Sequence, residues 1–155
     1  ITGHARGVGS YVISAVVEEC QNNVSKLEKH LMIKAFPYED KNRTDYKKLV
    51  TSYREGIFKH AGIAIFMFGN KISEHGVILT DGVYQEFEIA KKSNAYIIPI
   101  GSTGYVAKQI WNEVSENIEE YPYLKSEEVI LRESVDPEKV IRAVLQILLR
   151  IQKEY

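Results

Sequence analysis

The stretch Ile63-Ala-Ile-Phe-Met-Phe68 decides the fold class, because every side chain in it is apolar and no polar residue alternates with them. Such a run predicts a strand of a parallel sheet that is covered on both faces. Two further apolar runs, at residues 31–36 and 96–100, predict buried strands of the same kind. The first three residues are typical of the end of another strand.

Helical patterns separate and follow these strands. Predicted helices with one apolar face span residues 10–20, 46–60, 84–92 and 105–117. A last helix begins after Asp136 with Pro137 in its first turn. Its apolar stripe consists of Val140, Ile141, Val144, Leu145, Leu148 and Leu149. Strands that alternate with helices predict an α/β fold, Rossmann-like and doubly wound, with a mainly parallel sheet and helices on both faces.

Length and composition are those of one globular domain. The 155 residues are 45% hydrophobic and 26% charged, with a formal net charge of -1. This near-balance argues against nucleic-acid or membrane binding through bulk charge. The single cysteine, Cys20, excludes an internal disulfide and fits a cytoplasmic location. Because Cys20 falls on the apolar stripe of its helix, it is a core residue rather than a nucleophile.

Ligands of such folds bind beyond the carboxyl ends of the strands, where loops lead into helices. The first of these loops contains Gly7 and Gly9, whose small size lets a phosphate approach the backbone at a helix N-terminus. It is neither a Walker A loop nor a complete dinucleotide-binding fingerprint. A tight turn without a ligand therefore stays open as the alternative.

Two charged residues follow the most hydrophobic strand. Lys71, in a predicted loop, is placed to pair with a phosphate, and a solvated lysine is the equal alternative. Glu86, predicted near the start of the next helix, either complements the helix dipole or binds a ribose diol. Arg54 lies on the preceding helix and carries little weight alone. The histidines show no metal-ligand spacing, so no metal or cofactor is expected.

Three segments together resemble a known family. They are Ile1-Thr-Gly-His-Ala-Arg-Gly-Val-Gly-Ser10, the run from Ile63 to Lys71, and Asp81-Gly-Val-Tyr-Gln-Glu-Phe-Glu-Ile-Ala90. They resemble the SLOG superfamily, and within it the sensor domains of the NAD-degrading effectors of Thoeris anti-phage defence. The resemblance covers essentially the whole chain. It implies a single sensor domain over residues 1–155 that lacks its own first strand and helix, with a sirtuin-like catalytic domain outside the chain.

The resemblance also implies a ligand and its contacts. The ligand is a cyclic ADP-ribose isomer made by a TIR-domain protein. The sensor is not itself an enzyme, and its binding of the ligand activates the attached NAD-hydrolysing domain. The full-length protein is implied to be a homo-oligomer, a tetramer or higher. Arg54 and Lys71 are implied to contact its phosphates and Glu86 a ribose. Gly9 and Gly82 are implied to permit close backbone approach. Gly7 and the loop that ends at Asp40 are further implied contacts.

The alternative function is a nucleotide phosphoribohydrolase of the Lonely Guy type. Those enzymes carry Pro-Gly-Gly-x-Gly-Thr-x-x-Glu, and the matching stretch here is Thr80-Asp-Gly-Val-Tyr-Gln-Glu86. The paired glycines and the Gly-Thr step are absent, while Glu86 remains. The departure favours a domain that binds a nucleotide over one that cleaves it, so no catalytic residue is predicted.

Overall fold

A computed structural model describes residues 1–4, 7–21, 23–37 and 44–153. The chain divides into two compact units, Ile1–Ala61 and Gly62–Tyr155, which are called unit 1 and unit 2 below. Each unit contains a pair of parallel strands together with helices.

In unit 1 the strands β1 (Thr2–His4) and β2 (Ile33–Ala35) pair in parallel, and its helices are α1 (Val8–Glu19), α2 (Val24–His30) and α3 (Tyr46–Phe58). The helix predicted over residues 10–20 is confirmed as α1, and the helix over 46–60 is confirmed as α3. Helix α2 was not expected from the sequence.

Two local features of unit 1 follow from its residue types. Cys20 at the end of α1 is 3% exposed, which confirms its place in the core. Helix α2 begins because the Asn23 side chain accepts a hydrogen bond from the Lys26 N–H at 3.0 Å.

The parallel pair of unit 2 consists of β3 (Ile63–Phe66) and β6 (Tyr96–Pro99), with Ile63 opposite Tyr96. The connection between them holds an antiparallel hairpin, β4 (Asn70–Ser73) and β5 (Gly76–Leu79), and helix α4 (Asp81–Lys92). The fully apolar run does form the predicted strand. It ends two residues early because Phe68 and Gly69 have φ angles of 58° and 93°, which extended backbone does not allow.

After β6 a 3₁₀ turn at Gly101–Thr103 leads into helix α5 (Tyr105–Glu116). Helices α6 (Glu128–Glu133) and α7 (Pro137–Lys153) complete the described part of the unit. The core of unit 2 lies between the strands and these helices. Its fully buried large side chains include Phe87, Ile97, Ile98, Ile110, Trp111, Leu124, Leu131 and Ile147.

The outer edge of β6 is closed by one side chain. The Tyr123 hydroxyl accepts a hydrogen bond from the Ile97 N–H at 2.9 Å and donates one to the Ile97 carbonyl at 3.1 Å. Both groups of Ile97 point away from β3, so this hydroxyl satisfies the backbone polar groups that a further strand would otherwise take.

Helix α7 buries a face that the sequence pattern did not single out. Its inner face, which packs into the core, consists of Ala143, Ile147 and Ile151. Three residues of the apolar stripe found in the sequence remain exposed on the opposite side, and we call them the outer stripe: Ile141, Leu145 and Leu149. Periodicity located the apolar character of this helix but not the face that packs into the core.

The described residues form a mixed α/β structure in which parallel strand pairs alternate with helices. This agrees with the predicted Rossmann-like class. The predicted loop around Lys71 is wrong, since Asn70–Ser73 is a strand of the hairpin.

Candidate ligand site

The carboxyl ends of β3 and β6 are tied to the start of α5. The Phe68 N–H donates to the Thr103 hydroxyl oxygen at 2.8 Å, and the Phe68 carbonyl accepts from the Ala107 N–H at 2.9 Å. The Thr103 hydroxyl in turn donates to the Ile100 carbonyl at 2.7 Å. These bonds fix the backbone at the sheet edge where α/β proteins bind ligands.

Gly69 sits at the centre of this arrangement. Its φ is 93°, and a Cβ built on it would lie 2.6 Å from the Val106 Cβ. Only glycine combines that backbone conformation with such a close approach to α5. The Thr80 N–H donates to the Gly69 carbonyl at 3.0 Å, which closes the base of the hairpin and leads the chain into α4.

Lys71 lies on β4, directly opposite Ile78 of β5, and its side chain is exposed. In an antiparallel pair, directly opposed residues project from the same face of the ribbon. Ile72, its neighbour on the other face, is 87% exposed. The Lys71 side chain therefore stands on a short hairpin that projects from the carboxyl end of β3.

Gly82 and Glu86 both lie on α4, which begins at Asp81 rather than at Tyr84. Asp81 supplies the acidic residue of the first turn, and Gly82 follows it. Glu86 falls in the second turn and is half-buried. The prediction that Glu86 lies in the first turn is thus wrong, and complementing the dipole there is the role of Asp81.

The glycine-rich loop of unit 1 leads directly into α1. Gly7 is its N-cap residue, with a φ of 97°, and its carbonyl accepts a hydrogen bond from the Ser10 N–H at 3.1 Å. Gly9 lies in the first turn of the helix and is half-buried. The structure thus brings Gly7 and Gly9 together at one helix start.

Arg54 on α3 is more constrained than a solvated helical arginine. Its guanidinium carbon lies 5.2 Å from the centroid of the Phe36 ring, and Phe36 packs against Tyr53 with centroids 5.4 Å apart. The aromatic face holds the cation in position through a cation–π contact. Asp40, the remaining predicted contact, lies outside the described residues.

Several helices in the described part of the chain begin without a side-chain cap. At the starts of α1, α3, α4, α5 and α6 the side chain of the N-cap residue makes no capping hydrogen bond. By contrast, α2 is capped by Asn23, and the Asp136 carboxylate accepts from the Glu138 N–H at 3.0 Å at the start of α7. Helix starts without a side-chain cap keep N–H groups and positive dipole ends for water or an anion.

A charged network joins α4 to α5. The Glu113 carboxylate accepts hydrogen bonds from Lys91 and from the Tyr84 hydroxyl, each at 2.6 Å. Burial alone raises the pKa of Glu113, but these two hydrogen bonds outweigh it and leave the pKa below its ordinary value. The same bond to Glu113 raises the pKa of Lys91 and of Tyr84. Lys91 also pairs with the Glu88 carboxylate at 3.4 Å. The network therefore holds a charged Glu113 beside Lys91 at neutral pH, between the two helices.

Other kinds of site were sought over the same residues. Among them, no group of three or more histidine, cysteine, aspartate or glutamate side chains is placed to hold a metal ion. None of the helices described has the length and apolar character needed to cross a membrane.

Sequence reasoning missed the two residues that organise the end of β3. Gly69 lies between the predicted strand and the predicted loop at Lys71, and neither it nor Thr103 is singled out by the sequence pattern. A glycine that directly follows a buried strand was the available signal for the first. For Thr103 no signal existed, because its partner Phe68 is distant in sequence.

The fold, in which strands lead into helices, is that of a mixed α/β protein. The chain belongs to the Sir2- and TIR-associating SLOG family (STALD), whose model matches residues 1–151. Its relatives include proteins named NAD(+) hydrolase ThsA. The one from Bacillus cereus (strain MSX-D12) is 38% identical over 122 residues, which is 78% of this chain and 25% of that protein. That from Cytobacillus dafuensis is 32% identical over 153 residues, 95% of this chain and 31% of the relative.

A third ThsA, from Acinetobacter baumannii (strain 532279), is 32% identical over 127 residues, covering 77% of this chain and 26% of its own length. The chain therefore spans about a quarter to a third of these relatives.

Proposed function

We propose that this chain is a regulatory domain of anti-phage defence that binds a cyclic ADP-ribose isomer made by a TIR-domain protein. Binding activates an attached NAD-hydrolysing domain, and the chain itself performs no catalysis. The observation that carries the proposal is the match of the chain to about a quarter of several NAD(+) hydrolases named ThsA. A segment of that size has the length of one domain. A family that associates with Sir2 and TIR domains suits a sensor that couples a signal made by a TIR domain to NAD hydrolysis.

The chemistry of the strand ends supports an anionic ligand. A cyclic ADP-ribose isomer carries a pyrophosphate, and helix N-termini without side-chain caps bind such groups through backbone N–H donors. The starts of α1 and α4 have this character in the described chain, whereas at the start of α5 the Ala107 N–H already donates to the Phe68 carbonyl. Gly7, Gly9 and Gly82 lie at two of these starts, where a larger side chain would block the approach of a phosphate to the backbone.

The side chains complete the ligand contacts that we propose. Arg54 and Lys71 contact phosphate oxygens, and Glu86 accepts hydrogen bonds from a ribose diol. The stacking of Arg54 on Phe36 supports this role, because an arginine already held in place loses less side-chain entropy on binding. Asp40 stays a further proposed contact. The domain needs no metal and no cofactor for this function.

We further propose that the protein acts in the cytoplasm as a homo-oligomer, with neither nucleic acid nor membrane as a partner. The free thiol of Cys20 and the near-neutral charge support this setting. A signal shifts an oligomer only by binding one arrangement more tightly than the other. Several charged contacts to one ligand provide such a difference more readily than one.

Calorimetric titration tests the sensor function directly. The chain is titrated with a panel of cyclic ADP-ribose isomers and with NAD, linear ADP-ribose and AMP. One cyclic isomer should bind most tightly, because a cyclised ligand loses less conformational freedom on binding. At about 100 times its Kd that isomer should add roughly 2.7 kcal/mol to the free energy of unfolding. Equal affinities for AMP and for every cyclic isomer would contradict a dedicated sensor.

The phosphoribohydrolase alternative has its own assay. Incubation with nucleoside monophosphates releases free base if Glu86 supports hydrolysis, and a Glu86→Gln variant then loses that activity. We expect no base release from either protein. Release of free base that depends on Glu86 would show that the chain is a phosphoribohydrolase and not a sensor.

A further inference from the structure

An open pocket lies at the amino end of β6, within unit 2. Its volume is about 350 Å³, at the lower end of the roughly 300–1,000 Å³ of small-molecule sites. We call it the tyrosine pocket. The polar and aromatic residues that line it are Lys91, Asn94, Tyr96, Glu120, Tyr121 and Tyr123. Because Tyr96 is the first residue of β6, the pocket lies at the opposite end of that strand from the candidate ligand site.

Three aromatic rings form the wall of the tyrosine pocket. The ring of Tyr123 is held in place by the two hydrogen bonds between its hydroxyl and Ile97. Its centroid lies 5.1 Å from that of Tyr96 and 6.2 Å from that of Tyr121, with interplanar angles of 75° and 72°. In such edge-to-face pairs one ring turns its edge to the other, which leaves ring faces for the pocket. The face of a tyrosine ring attracts a cation within about 6 Å of its centroid.

The charges around the tyrosine pocket are predominantly negative. Lys91 and Glu120 are the charged residues among those that line it. The Lys91 ammonium is already paired with Glu113 at 2.6 Å and with Glu88 at 3.4 Å, so one cation stands among three carboxylates. Burial raises the pKa of Tyr121, and the three carboxylates raise it further although Lys91 lowers it. The pocket therefore favours a positively charged ligand.

The ends of two helices add to this negative potential. Helix α4 ends at Lys92, just before Asn94, and α5 ends at Glu116, four positions before Glu120. The last carbonyls of a helix carry a partial negative charge, which stabilises a cation nearby. The starts of helices lie at the carboxyl ends of the strands and the ends of helices at the amino ends. The two ends of the strands thus favour ligands of opposite charge.

The hydrogen-bond acceptors indicate which kind of cation fits. Glu120 is the carboxylate among the lining residues, and the Glu113 carboxylate already accepts from Lys91 and from Tyr84. A primary ammonium or a guanidinium brings three to five N–H donors, and each donor left without an acceptor costs free energy. A quaternary ammonium has no N–H group and is bound by ring faces and a negative potential alone.

We propose that the tyrosine pocket binds an organic cation that carries a trimethylammonium group, which contacts the rings of Tyr96 and Tyr121 and lies beside Glu120. The proposal does not depend on the anionic ligand proposed above, which binds at the other end of the strands. A few cation–π contacts at an open site predict a Kd on the order of 1 mM.

A chemical-shift titration of the isotope-labelled chain with choline chloride, to about 20 mM, tests the site at concentrations well above such a Kd. Sodium chloride at the same concentrations corrects for ionic strength. The shifts should concentrate at the amides of Tyr96, Ile97 and Tyr121. The neutral isostere of choline, in which a tert-butyl group replaces the trimethylammonium group, should bind about 10-fold more weakly, because it has the same shape without the charge.

Variants of Tyr121 separate a cation–π contact from apolar packing. Tyr121→Phe keeps a ring face and should bind choline within about threefold of the wild type, whereas Tyr121→Leu should bind about 5- to 10-fold more weakly. Glu120→Gln should weaken binding several-fold through the loss of its negative charge. The matched control is Tyr105→Leu, which removes a 44% exposed tyrosine at the start of α5 and should bind as the wild type does.

A peptide with one trimethyllysine presents the same group on a protein side chain. Tighter binding of this peptide than of choline would identify a protein as the source of the cation, and tighter binding of choline would identify a small molecule. The absence of choline-dependent shifts at the tyrosine pocket would overturn the proposal. Equal affinities for choline and its neutral isostere would reduce the site to an apolar pocket, and unchanged binding by Tyr121→Leu would exclude the proposed ring contact.

Discussion

The Cα of Gly69 approaches the Val106 side chain so closely that a Cβ on Gly69 would stand 2.6 Å from the Val106 Cβ. Because Val106 lies in the first turn of α5, this contact sets the distance between the end of β3 and the start of that helix. It also fixes the base of the hairpin that carries Lys71. Any side chain at Gly69 must push these elements apart.

Gly69→Ala should therefore lower the free energy of unfolding by about 2–4 kcal/mol, through a left-handed φ and an overpacked contact together. The matched control is Gly76→Ala in the hairpin turn. Its φ of 100° imposes the same backbone penalty, but no atom lies within 4 Å of the added Cβ. We expect about 1 kcal/mol there. Urea denaturation measures both, and equal losses would show that the Val106 contact costs nothing.

Tyr123→Phe should destabilise the chain by about 2–3 kcal/mol, because it leaves the N–H and carbonyl of Ile97 without the hydroxyl that satisfies them. The phenyl ring keeps the packing against Tyr96, whose ring centroid lies 5.1 Å away. Tyr11→Phe, at a residue that is 79% exposed, is the control and should change nothing measurable. Thermal unfolding of both variants is sufficient, and a Tm of Tyr123→Phe equal to that of the wild type would contradict this account of the β6 edge.

The parallel strands and most helices of unit 2 were predictable because buried segments have a recognisable apolar pattern in the sequence. The run that begins at Ile63 contains no polar residue, and α5 repeats Val106, Ile110 and Val114 on its buried face. The hairpin left no comparable record. Its strands are four residues each and largely exposed, so no buried face marks them in the sequence.

The sequence identified the candidate site residues by their chemical type, but it did not reveal the secondary structure or the contacts in which they lie. Lys71 lies on a strand and Glu86 in a second helical turn. The hairpin and the start of α4 depend on hydrogen bonds between short segments, which the sequence pattern does not show. The stacking of Arg54 on Phe36 joins elements that are separated in sequence. Tertiary packing decides contacts of this kind, and the hydrophobic periodicity of the sequence carries no information about it.

Glu113→Gln should lower the free energy of unfolding by about 1 kcal/mol at neutral pH, since Lys91 then loses its ion-pair partner on α5. The effect depends on pH with a defined sign. The pKa of Glu113 is depressed below its ordinary value of 4.5 in the folded chain, so its contribution is complete above that value and is lost as the pH falls through the folded pKa.

The difference between wild type and Glu113→Gln should therefore shrink as the pH falls below about 4.5. Urea denaturation at neutral and acidic pH measures it. Glu116→Gln, which removes an exposed carboxylate from the same helix, is the matched control. A difference between wild type and Glu113→Gln that stays constant from neutral to acidic pH would contradict the depressed pKa.

The last prediction concerns the proposed ligand. Lys71→Ala and Arg54→Ala should each weaken binding of the preferred cyclic ADP-ribose isomer roughly 10- to 150-fold, the loss of one charge-assisted hydrogen bond to a desolvated phosphate. The two variants should differ in stability. Lys71 is exposed on the hairpin, so its removal leaves the free energy of unfolding unchanged. Arg54→Ala also loses the contact with Phe36, which lowers the free energy of unfolding by about 0.5–1 kcal/mol.

Arg54→Lys keeps the charge without the planar guanidinium group and should recover only part of the affinity. Lys92→Ala, at the exposed end of α4, removes a cation away from the strand ends and should bind as the wild type does. Calorimetric titration at matched ionic strength separates these outcomes. Equal affinities for wild type, Lys71→Ala and Arg54→Ala would show that neither cation contacts the ligand. An equal loss of affinity in Lys92→Ala would show that the effect depends only on net charge.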